Sequence, residues 1–245
     1  MFLSHRSGLS RAALAAGLLA ILSVPFARAG NYGVSPLDFE LTQQRRSGVL
    51  TVTNEDKAPI SLRVRAMRWT QDASGADVYE ESNDLMFFPK RLDLQPGDKK
   101  IVRLGVNAVA QDAEHAYRLF VDELPPPDDP AQGKGTKLSV LVSIGVPVFL
   151  TPEGAESGLV VEQARLGDGL EVTVDNRGAS RVRLSRVVSA QGTEVAQNIP
   201  GRYVFPGVRK QLRIPVANLA CTGGRIPLKL DAGGATTDFD AACAR

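Results

Sequence analysis

One stretch constrains the fold more than any other: Lys137 to Leu150, which reads K-L-S-V-L-V-S-I-G-V-P-V-F-L. Every second residue, from Leu138 through Val140, Val142, Ile144, Val146 and Val148 to Leu150, is apolar. Period-two spacing puts all of them on one face of a β-strand. The other face is mixed and partly small, with Ser139, Leu141, Ser143, Gly145, Pro147 and Phe149. At roughly 3.3 Å per residue such a strand would run about 45 Å, far longer than the usual five or six residues. The pattern fits a long core strand of a sandwich. The sharper reading is a strand whose first half is an edge held out for another protein, and Pro147, which has no N–H to give a ladder, suits an edge or a bulge better than a sheet centre; the pattern alone does not decide.

The start of the chain reads as an export signal. His5, Arg6 and Arg11 precede an almost wholly apolar run from Ala12 to Phe26, and Ala27-Arg28-Ala29 supplies the small-x-small pattern of a cleavage site. Residues 1–29 are therefore expected to be removed. The apolar run is shorter than the roughly twenty residues of a spanning helix, and no later stretch is long enough, so no membrane insertion is expected. The full chain carries a net charge of +2, which falls further without Arg6, Arg11 and Arg28. That is no footprint for nucleic acid.

The mature chain reads as all-β. Short apolar-alternating runs at Val34–Leu41, Val49–Thr53, Ile60–Trp69, Asp84–Phe88, Lys100–Val106 and Ala116–Leu124 precede the long stretch, separated by turn residues such as Asn54-Glu55-Asp56 and Pro96-Gly97. The Pro-rich segment from Pro125 to Pro130 breaks regular structure. Seven strands at this spacing suggest an immunoglobulin-like sandwich. Thr151-Pro152-Glu153-Gly154 reads as a hinge. A second set follows at Leu159–Leu166, Leu170–Val174, Arg181–Val188, Tyr203–Phe205, Gln211–Val216 and Ile226–Leu230. Asp175-Asn176-Arg177-Gly178 closes a second strand there much as Asn54-Glu55-Asp56 does in the first half. The expectation is two β-sandwiches in tandem, residues 30–151 and 152–245.

Chemistry is sparse. His115 is the one histidine of the mature chain, and Cys221 and Cys243, far apart in sequence, are expected to form a structural disulfide in an exported protein. No zinc-site spacing, Gly-x-Ser-x-Gly elbow or phosphate-binding loop is present. The acidic pairs Glu80-Glu81, Asp128-Asp129 and Asp238/Asp240 fall in turn-like segments. Neither an enzyme nor a cofactor is expected. Arg63, Arg65 and Arg68 read as an outward charged face. Arg118 is different, because it sits among Tyr117, Leu119 and Phe120 and needs an anionic partner or water.

Three segments carry a resemblance: Val49 to Asn54, Leu92 to Leu104 with Leu94-Gln95-Pro96-Gly97, and Tyr117-Arg118-Leu119-Phe120-Val121-Asp122-Glu123-Leu124-Pro125. With the Pro-rich loop and the alternating strand after it, they resemble the periplasmic pilus-assembly chaperones, the PapD-like proteins of the chaperone-usher pathway. Arg65-Ala66-Met67-Arg68-Trp69-Thr70-Gln71 and Tyr117-Arg118 look most like the archaic branch, whose substrates resemble spore-coat-type pilins. The resemblance implies two Ig-like domains set at an angle around a cleft, and a long strand lent to a pilin that lacks one of its own. It implies a pilus subunit and an outer-membrane usher as partners, in the periplasm. By parity, Leu138, Val140, Val142 and Ile144 would be the client-binding line, while Val146, Val148 and Leu150 would serve the chain's own core. One departure matters. The better-known branch grips the pilin's C-terminal carboxylate with an arginine and a lysine, at places that here hold Asp38 and Pro147. Arg118 is the substitute, since a guanidinium can hold a carboxylate by two parallel bonds. The rival readings are an exported pilus subunit or adhesin, for which Gly30-Asn31-Tyr32-Gly33 supplies little of the apolar donor extension needed, and a carboxylate-dependent hydrolase, for which no motif is present.

Overall fold

The structure is a computed structural model that describes residues 31–126, 140–216, 219, 221 and 224–243. The expected signal sequence, most of the Pro-rich loop and Leu138 lie outside the described residues. No helix occurs among those residues, and eighteen strands account for the regular structure.

The first half holds β1 (Tyr32–Ser35), β2 (Phe39–Leu41), β3 (Ser47–Asn54), β4 (Ile60–Gln71), β5 (Asp77–Glu81), β6 (Leu85–Phe88), β7 (Arg91–Leu94), β8 (Lys99–Val106), β9 (His115–Glu123) and β10 (Ser143–Leu150). One sheet has the order β1-β3-β8-β6, and the other β2-β10-β9-β4-β5, with β7 also on β4. Between them lie Leu50, Val52, Leu62, Leu92, Val102, Tyr117, Leu119, Val121, Val146 and Val148, all buried. The run expected as a single strand over Val34–Leu41 is two strands in different sheets. Pro36 lies between them and cannot donate to a ladder, so the chain leaves one sheet there and joins the other.

The second half holds β11 (Leu159–Leu166), β12 (Leu170–Asn176), β13 (Val182–Ser189), β14 (Glu194–Gln197), β15 (Tyr203–Val204), β16 (Arg209–Ile214), β17 (Arg225–Ala232) and β18 (Ala235–Cys243). Its strands follow the order β14-β13-β17-β18-β11-β12-β16, with β15 on β13. A short parallel contact, Arg165 with Ala242 and Leu166 with Cys243, links β11 to β18. Leu170, Val172, Val174, Leu184, Val187, Leu228 and Leu230 fill the core. Cys221 and Cys243 are bonded to each other, with Cα atoms 5.8 Å apart.

The two halves repeat one device. Asn54 ends β3 and is buried; its Nδ2 donates to Ala58 O (2.9 Å) and Leu94 O (3.2 Å), and its Oδ1 accepts from Asp56 N. Asn176 ends β12, also buried; its Nδ2 donates to Ser180 O and Val204 O (both 2.9 Å), and its Oδ1 accepts from Gly178 N. In each half one carboxamide satisfies a turn and the carbonyl of a strand far along the chain, where water cannot reach.

The halves meet across an aromatic seam of Trp69, Phe149, Tyr203 and Phe205. Trp69 stands edge-on to Phe205 at 4.8 Å and to Tyr203 at 5.4 Å between centroids. Gln71, at the end of β4, donates to Tyr203 O (2.9 Å) and accepts from Phe205 N (3.0 Å). On the other flank Arg181 lies over the Phe149 ring and is paired with Glu40 and with the buried Glu114, whose Oε2 also accepts from Thr151 Oγ1 at 2.7 Å.

Candidate functional site

The long stretch does not form one strand of fourteen residues. Among the described residues its regular part is β10, Ser143–Leu150, with Val140 in an isolated bridge ahead of it. On one side β10 pairs with β9 along its whole length, from Ser143 with Asp122 to Leu150 with His115. On the other side it pairs, in parallel, with β2 over Val148–Leu150 only. The stretch Ser143–Pro147 therefore has a side with no strand neighbour among the described residues. Pro147 sits in this half-paired part, the edge location that its missing N–H favours.

The apolar line runs out of the core along this edge. Leu150 and Val148 are fully buried and Val146 is 1 % exposed, whereas Ile144 and Val142 are half-buried against the same core and Val140 is 48 % exposed. The four residues expected as the client line thus stand in different positions. Val140 is open, beside Leu124, Pro125 and Ile60 in a groove of about 360 Å³. Val142 and Ile144 still touch the chain's own core. Leu138 lies outside the described residues.

Residues on both faces hold the edge in place. Asp122 accepts from Arg65 Nε (2.6 Å), from Arg65 Nη2 (3.2 Å) and from Ser143 Oγ (2.6 Å), while Arg63 approaches at 3.6 Å. Burial opposes ionisation of this carboxyl, but the hydrogen bonds from Arg65 and Ser143 and the charges of both arginines prevail and hold it below the usual aspartate range. Val142 is tied to Glu123 twice, its O accepting from Glu123 N (2.9 Å) and its N donating to Glu123 Oε2 (3.1 Å). Tyr32, on β1, reaches through the sandwich, its hydroxyl donating to Val121 O at 2.6 Å and in reach of Val142 O at 3.2 Å. Burial pushes that hydroxyl up to about 12, so it stays a donor at any physiological pH.

Arg118 points away from the core that Tyr117, Leu119 and Val121 enter, as its place in the alternation requires. It makes no ion pair among the described residues. Its guanidinium lies 3.8 Å from the centroid of Trp69 and 5.4 Å from that of Tyr79, and Nη1 donates to the Tyr79 hydroxyl at 2.6 Å. Nε is buried without an acceptor. Among the described residues its neighbours are aromatic faces rather than an anion; the ring quadrupole attracts the cation without neutralising it. Asp38 is exposed between β1 and β2, and Pro147 stands opposite Arg118 on the neighbouring strand. Of the three arginines read as an outward face, Arg63 and Arg65 converge on Asp122, and Arg68, on the opposite parity, pairs with Asp84 at 3.3 Å. His115 is half-buried, and burial, with Arg68 nearby, holds it in its neutral form further down the pH scale than usual. Among the described residues no group of three or more His, Cys, Asp or Glu is placed to hold a metal ion.

Sequence reasoning missed Asp122, Ser143, Tyr32 and the aromatic neighbours of Arg118, because each acts across strands. One signal was available. Asp122 shares the parity of Arg118 and Phe120 and faces the same side as the Arg63/Arg65 pair, so opposite charges on adjacent strands could have been matched.

The family described as pili and flagellar-assembly chaperone, PapD N-terminal domain, matches residues 33–156. No curated protein matches the chain. A chain of the CsuC–CsuE chaperone–tip adhesion subunit pre-assembly complex, from the archaic chaperone-usher Csu pili of Acinetobacter baumannii, has 17 % identity and a TM-score of 0.60, covering 88 % of this chain and 100 % of that one. A chain of the Salmonella enterica complex of SafA pilin with the SafB chaperone has 15 % identity and a TM-score of 0.57, covering 88 % and 98 %. The E. coli chaperone DraB has 16 % identity and a TM-score of 0.55, covering 89 % and 98 %. What is shared is the fold: two immunoglobulin-like sandwiches in tandem, set at an angle around a cleft.

Proposed function

The chain belongs to the pili and flagellar-assembly chaperones of the PapD family, and from that premise we propose that it captures pilus subunits in the periplasm by lending them the free edge of β10. The observation that carries this is the half-paired strand. Ser143–Pro147 offers backbone groups on one side, and the apolar row rises from a filled core to the open Val140. A subunit lacking one strand exposes an unpaired edge and an apolar groove, which is an aggregation hazard. Strand addition satisfies the edge with main-chain hydrogen bonds, and alternate side chains fill the groove.

Residues 1–29 act as the export signal. Residues 30–151 form the donor domain and 152–245 the second domain. Leu138, Val140, Val142 and Ile144 form the client line, and each apolar side chain transferred from water contributes roughly 1.5–3 kcal/mol, before the costs of association. Arg118 receives the client's terminal carboxylate. An outer-membrane usher takes the loaded subunit onward. β2 supports this arrangement, because it already occupies the edge of β10 from Val148 on. A client strand running parallel to β10 would end where β2 begins, beside Pro147 and its cross-strand neighbour Arg118.

The test is co-expression of the mature protein with candidate pilins of its own host. At least one pilin should become soluble only in its presence and co-purify one to one. If every candidate stays insoluble, or is as soluble without the protein, the capture reading is wrong.

A further inference from the structure

Gly145 lies in the middle of β10, in the part of the strand with a free edge, where glycine weakens a strand and has no side chain to pack. Its backbone is not in the left-handed region, so no turn demands it there. The reason is steric. A Cβ at this position would stand 2.8 Å from Arg118 Cδ, 3.2 Å from Arg118 Cγ and 3.1 Å from Phe120 Cε1. The stem of Arg118 rests on the strand through the space that any other residue would fill. Its far end is held by Trp69 on β4 and by the Tyr79 hydroxyl on β5, while Tyr79 is itself set edge-on against Phe120 at 5.6 Å. One cation is thus located from three strands besides its own, without an anion among the described residues.

The geometry points to Gly145, Trp69 and Tyr79 as positioning residues that hold Arg118 ready for the client's terminal carboxylate. This rests on the reading of Arg118 as the carboxylate anchor. The acid that shares this face of β9, Asp122, is four residues away, about 13 Å along the strand. Asp122 is taken by Arg65 and Ser143. The aromatic cradle keeps Arg118 ordered and unneutralised, with Nε buried and lacking an acceptor. An incoming carboxylate then meets a guanidinium whose plane is already fixed, so little rotamer freedom is lost on binding. The cradle also sets register. The carboxylate fixes which client residue faces Val146 and which faces Ile144, and a one-residue slip would turn the client's apolar row outward.

The experiment uses the full mature protein and a co-expressed pilin in two forms, one with its natural C-terminus and one extended by two glycines. The reading is the ratio of the two forms captured by wild type, Arg118→Ala, Tyr79→Phe, Gly145→Val and Gly145→Ala. Wild type should prefer the natural end, and loss of a charge-assisted bond should lower that preference roughly tenfold in Arg118→Ala. Gly145→Val should lower it as far as Arg118→Ala does, with Gly145→Ala and Tyr79→Phe between. Thermal unfolding should show all four folded, since valine favours strands more than glycine does. A second reading needs no client: the Nε–Hε signal of Arg118 in the ¹⁵N spectrum should move in Tyr79→Phe and Gly145→Val. If Arg118→Ala keeps the full preference, the anchor reading itself fails. If Arg118→Ala loses it while Tyr79→Phe and Gly145→Val keep it, or the Arg118 signal is unmoved in them, the anchor stands and the cradle is overturned. A uniform loss of both client forms would mark Gly145 as structural only, and equally overturns the positioning role.

Discussion

Val140→Asp separates client binding from folding better than any other change on the donor edge. Val140 is 48 % exposed and is not part of the buried core, so its loss should alter the protein's own stability by no more than about 0.5 kcal/mol, as at ordinary surface sites. About half of the side chain remains to be buried by a client. Full burial of a valine is worth roughly 1.5–3 kcal/mol, which leaves about 0.7–1.5 kcal/mol, or about three- to twelvefold in affinity. Val140→Ala should show a loss within that range. Val140→Asp should exceed it many-fold, because a carboxylate would enter an apolar groove without a partner. Val142 makes a worse probe. It packs on the chain's own core, so Val142→Asp would weaken the chaperone and the complex together. The assay is capture of a co-expressed pilin, with thermal unfolding of each free variant as the control. A folded Val140→Asp protein that captures pilin as wild type does would refute the donor-line assignment.

The buried carboxamides should be separable by domain: Asn54→Ala and Asn176→Ala each remove a buried carboxamide that donates to two backbone carbonyls, at a cost of about 1–3 kcal/mol, and calorimetry should show two transitions of which each variant lowers one. The folded value of Asp122 lies below its ordinary value of 3.8, so its contribution is fully present above that value and is lost as pH falls through the lower folded one; Asp122→Asn should flatten the stability–pH curve in that acid window and leave its shape near neutrality unchanged. Replacing Cys221 and Cys243 together by serine should cost the second domain about 3 kcal/mol in the chain-entropy model, with pilin capture at temperatures below its unfolding unaltered; a capture defect in the folded variant would give the bridge a role beyond stability.

How far the fold was legible depended on which forces act along the chain and which act across it. Alternation within one strand marked β4, β8 and β9 to within a residue or two at most ends, since one face of each is buried and the period of two follows directly. Strands such as β5 (Asp77–Glu81), β14 (Glu194–Gln197) and β18 (Ala235–Cys243) carry little of that signal. They are edge or half-edge strands with exposed, polar positions, held by the ladder to a neighbour rather than by apolar burial. The stretch from Lys137 to Leu150 was legible as an apolar row, but its division was not. Where β10 stops being flanked depends on where β2 joins it, and the switch at Pro36-Leu37-Asp38 that aims β2 lies about a hundred residues away in sequence. The same holds for Arg118. Its parity placed it off the core, whereas its partners are two aromatic residues on other strands and a missing side chain at Gly145.

The two halves end on the same construction but differ in the chemistry of the edge it leaves. In each, the last strand joins an early strand by a short parallel contact: β10 with β2 at Val148–Leu150, β18 with β11 at Ala242 and Cys243. Each therefore leaves a length of edge without a neighbour among the described residues, Ser143–Pro147 in one and Ala235–Ala241 in the other. Topology alone would make both recruit a strand. The second edge, however, reads A-T-T-D-F-D-A, with Asp238 and Asp240 exposed and Phe239 half-buried. Charges on an edge strand oppose pairing with another chain, and a client with an apolar groove would have to bury them. The Cys221–Cys243 bond fixes the end of that strand, and Lys229 pairs with Asp238 at 3.2 Å across the ladder. The first edge carries no charged residue from Val140 to Leu150, and the charges that attend it, Asp122 and Arg118, sit on the neighbouring strand. Under the proposed function, selectivity for one edge over the other comes from a row of side chains written on a shared backbone plan, and that row, rather than the presence of a free edge, assigns the donor role to the first domain.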